Sequence, residues 1–286
     1  MTVRTSLALL ATLAGAPALA QTEPATEPAG EARPAEVQAL YEALELPGIV
    51  GVMAREGEAY GEELAAGLFP ADEPPAAWGE AVADIYDPTR MEAEVAQAFA
   101  GSLEGEDVAA MTAFFEAEPG ATFAALELAA REAMLDEDVE QAAKEAAAVA
   151  VADGDPRLDL IRRYAEVNDL IETNVAGALN TNFAYFMGLI DGGATEGGLS
   201  EGDVLADVQS QEPQIRADTT EWMYSFLLMA YAPASDEDLE ALIAFSESEP
   251  GQALNDALFA AFDGVFEDIS HRLGLLSARY MTTQEI

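Results

Sequence analysis

The chain has 286 residues, half of them apolar, no cysteine, and a formal net charge of −42 from 54 acidic against 12 basic residues. That apolar content argues against disorder of the whole chain, and the missing cysteines exclude disulfides, thiol chemistry and a lipid-bearing cysteine. With Lys144 as the only lysine, the acidic surplus makes DNA, RNA and anionic lipid surfaces poor partners, because their binding depends on cations neutralising phosphates. The simplest meaning of the charge is a solvated surface, suited to a medium whose salt screens repulsion over about 8 Å.

Residues 1–20 have the layout of a secretory signal peptide: Arg4, an apolar stretch from Leu7 to Ala16, and Ala18-Leu19-Ala20 before Gln21. Cleavage after Ala20 would leave a chain with no membrane anchor, since the apolar core falls short of the about 20 residues a span needs. The expected location is therefore the periplasm. Residues 21–35, rich in Glu, Pro, Ala and Thr, read as a flexible linker. Helical spacing begins at Val37, Leu40, Tyr41 and Leu44, and Pro47-Gly48 is expected to stop that first helix. A second helix is expected from Ile49 to Leu68, before a loop between Phe69-Pro70 and Pro74-Pro75. Trp78, Val82 and Ile85 continue the pattern. Asp87-Pro88 then offers a capping residue and a proline suited to the first helical position. Met91, Val95 and Phe99 follow on one face, then Val108, Met111, Phe114 and Phe115, then Phe123, Leu126, Leu128 and Met134. An alanine-rich acidic helix should run from about Asp136 to Val151.

Asp153-Gly154-Asp155-Pro156 is the clearest internal break and divides the chain into a helical module at 36–153 and a second at 154–286. A long helix is expected next, carrying the stripe Leu160, Tyr164, Val167, Ile171, Val175, Leu179, Phe183, Phe186 and Leu189. After the loop Asp191–Gly202 comes a short helix. New helix starts are expected at Asp218-x-x-Glu221 and Ser235-x-x-Asp238, which resemble capping boxes. The last helix carries Leu254, Leu258, Phe262, Phe266, Ile269 and Leu273. No stretch alternates as a strand would. The fold class is all-α, a helical bundle made of two similar modules in tandem.

The tandem reading rests on self-similarity. Residues 106–120, EDVAAMTAFFEAEPG, align without a gap to 237–251, EDLEALIAFSESEPG, at nine of fifteen positions. In each copy an acidic first turn complements the helix dipole, an apolar face ends in Phe114 or Phe245, and Glu-Pro-Gly turns the corner. The stretch 231–254, YAPASDEDLEALIAFSESEPGQAL, resembles the exported helical proteins grouped as domain of unknown function 2059, with Phe245, Ser248 and Gly251 at the positions of their corner aromatic, serine and glycine. The first copy has Ala117 where the serine should stand. The resemblance implies a periplasmic helical protein and supplies no catalytic residue.

The remaining constellations assign no catalytic, cofactor-binding or metal-ligating residue and no cofactor. His271, the only histidine, follows Glu267 and Asp268 on one helix face, a metal half-site without further ligands; its expected role is a cation late in a helix. The loop 191–203 fails as a calcium loop, with Glu196 and Gly202 where glycine and glutamate are required. Lys144 lies among acids and alanines, and neither a GxSxG elbow nor a phosphate loop occurs. Trp222, Met223, Tyr224, Phe226, Leu227, Leu228 and Met229 read as a buried bundle centre, or else as a patch for a protein partner or a second copy of the chain. The preferred functional reading is a non-enzymatic module that binds another protein or stabilises an assembly. Two alternatives are a hydrolase or lyase using Glu116, Glu118, Glu247 or Glu249 in a cleft between modules, and a low-affinity divalent-cation binder.

Overall fold

The computed structural model describes residues 34–69, 74–194 and 200–283, and among these the chain is all-helical with no strand. The expected signal peptide, most of the linker and parts of two loops lie outside the described residues. The first helices are α1 (Ala35–Ala43), α2 (Leu46–Leu68), α3 (Ala76–Ile85), α4 (Pro88–Ser102), α5 (Val108–Phe115), α6 (Gly120–Ala133) and α7 (Glu137–Asp153). Beyond Gly154 follow α8 (Arg157–Val167), α9 (Leu170–Asp191), α10 (Glu201–Tyr231), α11 (Asp236–Ser246) and α12 (Glu249–Thr283).

Local chemistry accounts for several of the starts. The Asp87 carboxylate accepts from the Arg90 N–H at 2.8 Å, with Pro88 opening α4. Asp136 caps α7, and Gly154 ends it in the left-handed conformation at φ 66°. Ser235 and Asp238 form a reciprocal capping box at α11, as the sequence suggests; Ser200 and Asp203 form another at α10.

Three boundaries differ from expectation. Pro47 sits in the first turn of α2 instead of stopping α1, because the break falls at Glu45, whose φ is 55°. The long helix expected after Pro156 is divided at Asn168 and Asp169, the latter at φ 49°. Tertiary contacts make this division affordable: from α12, the Gln252 amide donates to the Val167 carbonyl at 3.1 Å and the Asn255 amide to the Asn168 carbonyl at 3.2 Å, satisfying acceptors freed at the end of α8. Conversely, no helix starts at Asp218. α10 runs unbroken through Pro213 and Asp218 to Tyr231, held by packing on α9, α7 and α6, so the local capping signal there goes unused.

The core is one connected cluster reaching from Val37 in α1 to Leu276 in α12. Helices from both sides of Gly154 contribute to it, and their packing is reciprocal: α4 lies against α12, while α10 lies against α6. The stripe 222–229 supplies Met223, Phe226 and Leu227 to this core, with Trp222, Tyr224, Leu228 and Met229 packed beside it. α9 and α12 form the most extensive helix pair. They cross at Gly188 and Gly274, where a Cβ on Gly188 would lie 2.1 Å from the His271 carbonyl oxygen and one on Gly274 would lie 2.1 Å from that of Tyr185. Among the described residues no single helix is long and apolar enough to cross a membrane; α1 and α2 together would be, but they are bent by 60° and bury their apolar residues in the core.

Candidate functional site: paired helix corners and a buried carboxyl cluster

The two similar segments meet. α5 ends and turns into α6 through Glu118-Pro119-Gly120, and α11 turns into α12 through Glu249-Pro250-Gly251. Phe114 stacks on Phe245, ring centroids 4.2 Å apart and planes 9° from parallel, with Phe115 set edge-on to both. Each turn is too tight for any residue but glycine. A Cβ on Gly120 would lie 2.2 Å from the Phe114 carbonyl oxygen, and one on Gly251 would lie 2.0 Å from that of Phe245.

The turn hydrogen bonds also correspond. Glu116 N–H donates to the Thr112 carbonyl, Ala117 to Phe114 and Ala121 to Ala117; Glu247 donates to Ile243, Ser248 to Phe245 and Gln252 to Ser248. The second corner adds a side chain: Ser248 Oγ donates to the Phe245 carbonyl at 2.5 Å and accepts from Gly251 N–H at 3.2 Å. Ala117 supplies no such group in the first corner.

The carboxylates of these corners do not form a reactive pair. Glu116, Glu118, Glu247 and Glu249 are all exposed; Glu118 accepts from the Thr122 hydroxyl, and Glu247 is held by Arg163 of α8. The scarce cations serve mostly as clasps between helices. Arg131 of α6 reaches Glu56 of α2 at 2.6 Å, Arg216 of α10 holds Glu172 of α9, Arg272 of α12 meets Asp84 of α3, and Arg157 of α8 holds Asp236 of α11. The Arg216 hydrogen bond lowers the Glu172 carboxyl below its usual range.

Among the described residues, the carboxyl pushed furthest from its ordinary range is Glu127, which the sequence pattern does not single out. Glu127 of α6 accepts from the hydroxyl of Tyr231, the last residue of α10, at 2.5 Å. Tyr231 has no exposed surface and lies between the rings of Phe123, centroid distance 4.9 Å, and Tyr164 of α8, at 5.5 Å. Glu127 as a residue keeps part of its surface in solvent, but its carboxyl is directed in among these aromatics. Burial pushes that carboxyl up to about 7, and the Tyr231 hydrogen bond only partly opposes the rise. The Tyr231 and Tyr164 phenols are likewise raised by burial. A glutamate four residues before an arginine on an amphipathic helix looks like an ordinary ion pair, so nothing in the local pattern marks Glu127 as different.

His271 does approach a carboxylate, but from another helix: its Nε2 lies 2.9 Å from Oδ2 of Asp191, the last residue of α9. It thus sits where a cation complements a helix C-terminus, that of α9 and not its own. Lys144 is half-buried and paired with Glu140 one turn earlier. Among the described residues no group of three or more histidine, cysteine, aspartate or glutamate side chains is placed to hold a metal ion.

Set beside known proteins, the chain matches no family model, no curated protein and no solved structure at a significant level.

Proposed function

We propose that this is an exported, non-enzymatic helical protein, acting in the periplasm, whose function is to present a fixed shape to a protein partner or to stabilise an assembly. The observation that carries this reading is the contact of the two corners at Phe114 and Phe245. A side chain stacking on its own counterpart is what a two-fold relation between copies of one unit would produce, with the reciprocal packing of α4 on α12 and α10 on α6 as its second consequence. The left-handed breaks at Glu45 and Asp169, each between a short helix and a longer one, support the same pairing. Residues 36–153 and 154–286 are, on this reading, duplicated modules interlocked around one core. The likeness to domain of unknown function 2059 belongs to the same proposal, with Phe245, Ser248 and Gly251 acting as corner-forming residues and not as reagents.

The experiment is capture of the partner from its own compartment. Tagged full chain is expressed in its native host and cross-linked in the envelope fraction; the mature N-terminus is sequenced from the same preparation. A mature chain beginning at Gln21 and one defined cross-linked protein, recovered at several salt concentrations, are the expected results. Retention of the chain in the cytoplasm would refute the export part, and recovery of no defined partner at any salt would refute the scaffold part.

A further inference from the structure

Glu127 is placed where a carboxylate is hard to keep ionised. The ion pairs of the neighbouring arginines go to other carboxylates. Arg131, one turn further along α6, holds Glu56 of α2, and Arg55 of α2 holds Glu132. Arg157 of α8 gives its guanidinium to the Tyr231 and Ala234 carbonyl oxygens and to Asp236. α5, which also packs on α6, has no titratable side chain. From α10 the group that faces Glu127 is the Tyr231 hydroxyl, and from α8 it is Tyr164. What surrounds the carboxyl is therefore one hydrogen-bond donor and a set of rings, contributed by helices on both sides of Gly154.

We propose that the Glu127, Tyr231 and Tyr164 cluster is a proton-operated latch between the two halves of the chain: the seam of α6 on α10 closes on the neutral carboxyl and loosens when the carboxyl ionises. This holds whether or not the halves are copies of one unit. The proton leaves Glu127 to solvent, while both phenols keep theirs because burial opposes their ionisation.

The direction follows from linkage. In the unfolded chain Glu127 loses its proton in the ordinary carboxyl range near 4.5; in the folded chain it holds the proton up to about 7. Below the lower value both states are protonated, so the contribution of the neutral carboxyl is fully present and does not change with pH. As pH rises through this window the unfolded chain has already released its proton, so the folded state loses stability progressively, and the loss is complete just above neutrality. The other ionisable groups are common to the variants, so their contribution cancels in the comparison.

The test uses the full chain at constant ionic strength, comparing wild type with Glu127→Gln, which keeps the shape and cannot ionise, and with Tyr231→Phe, which removes the donor. Melting temperatures are measured from pH 5 to pH 8.5. Relative to Glu127→Gln, wild type should lose about 3–6 °C across this range, roughly half the full linkage effect because Glu127 keeps some solvent contact. Tyr231→Phe should lose more than wild type. Amide exchange, corrected for intrinsic pH dependence, should accelerate in α6 and the end of α10 in wild type and not in Glu127→Gln. Parallel pH profiles for wild type and Glu127→Gln would overturn the proposal. So would a Glu127→Gln chain that fails to fold at pH 5, where the cluster takes a neutral side chain.

Discussion

The crossing of α9 and α12 allows the packing to be tested with one substitution made at two places. Gly264 lies within α12, exposed, and a Cβ there would meet nothing within 4 Å. Gly264→Ala should stabilise the chain by about 0.8–1 kcal/mol, the intrinsic advantage of alanine in a helix. Gly188 is also helical, in α9, and would gain the same local term. Its Cβ, however, would stand 2.1 Å from the His271 carbonyl oxygen and 2.9 Å from Gly274 Cα, both backbone atoms that no rotamer change can move. The helices would have to separate along their most extensive contact. Overpacking of this kind costs about 1–3 kcal/mol or more, and loosening the neighbouring buried contacts adds to it, so a net destabilisation of about 2 kcal/mol is expected for Gly188→Ala. Urea unfolding of both variants at neutral pH and fixed salt reads the difference directly, provided the denaturant slope is unchanged. If Gly188→Ala stabilised the chain as much as Gly264→Ala, the close crossing of these helices would be wrong.

Other substitutions separate further contributions. Arg131 is 2% exposed and bonds Glu56, while its Nε and Nη1 have no partner among the described residues. Glu56→Ala should therefore cost about 2–4 kcal/mol in chemical denaturation by stranding a buried cation, whereas Arg131→Met should fall within about 1 kcal/mol of wild type; equal losses would refute this account. Ser235→Ala removes the capping box of α11 and should cost about 1 kcal/mol, with Ser235→Gly milder, by thermal or urea unfolding. Because the net charge is −42, the melting temperature should rise steadily as sodium chloride shortens the screening length from about 30 Å at 0.01 M to about 8 Å at 0.15 M. A flat or falling profile would mean that repulsion among the carboxylates does not limit stability.

Elements with strong local chemistry are legible in the sequence. Asp87-Pro88, Gly154 and Ser235-x-x-Asp238 mark helix ends because a side-chain cap, a fixed φ or a left-handed glycine acts within a few residues. The apolar stripes of α3, α4 and α12 were equally plain, since burial on one face imposes the helical period. The sequence missed what depends on distant partners. The break at Asn168 and Asp169 needs Gln252 and Asn255 to cap carbonyls more than eighty residues away, and the capping signal at Asp218 goes unused because α10 is held through that point by packing on α9, α7 and α6. The small-residue spacing Gly188-x-x-x-Gly192 and Gly274-x-x-x-Ala278 is the sequence signal of this close crossing.

For the site the division is sharper. The two Glu-Pro-Gly corners could be found by comparing the chain with itself, because each tight turn admits only glycine at its closest approach. That Phe114 would lie on Phe245, that His271 would reach Asp191, and that Glu127 would face a phenol instead of an arginine were fixed only when helices far apart in the chain came together. Composition and periodicity set the helical class, the acidic surface and most turns, since those forces act along the chain. Partners and proton affinities came from packing, because burial and the distance to the nearest opposite charge belong to the folded whole.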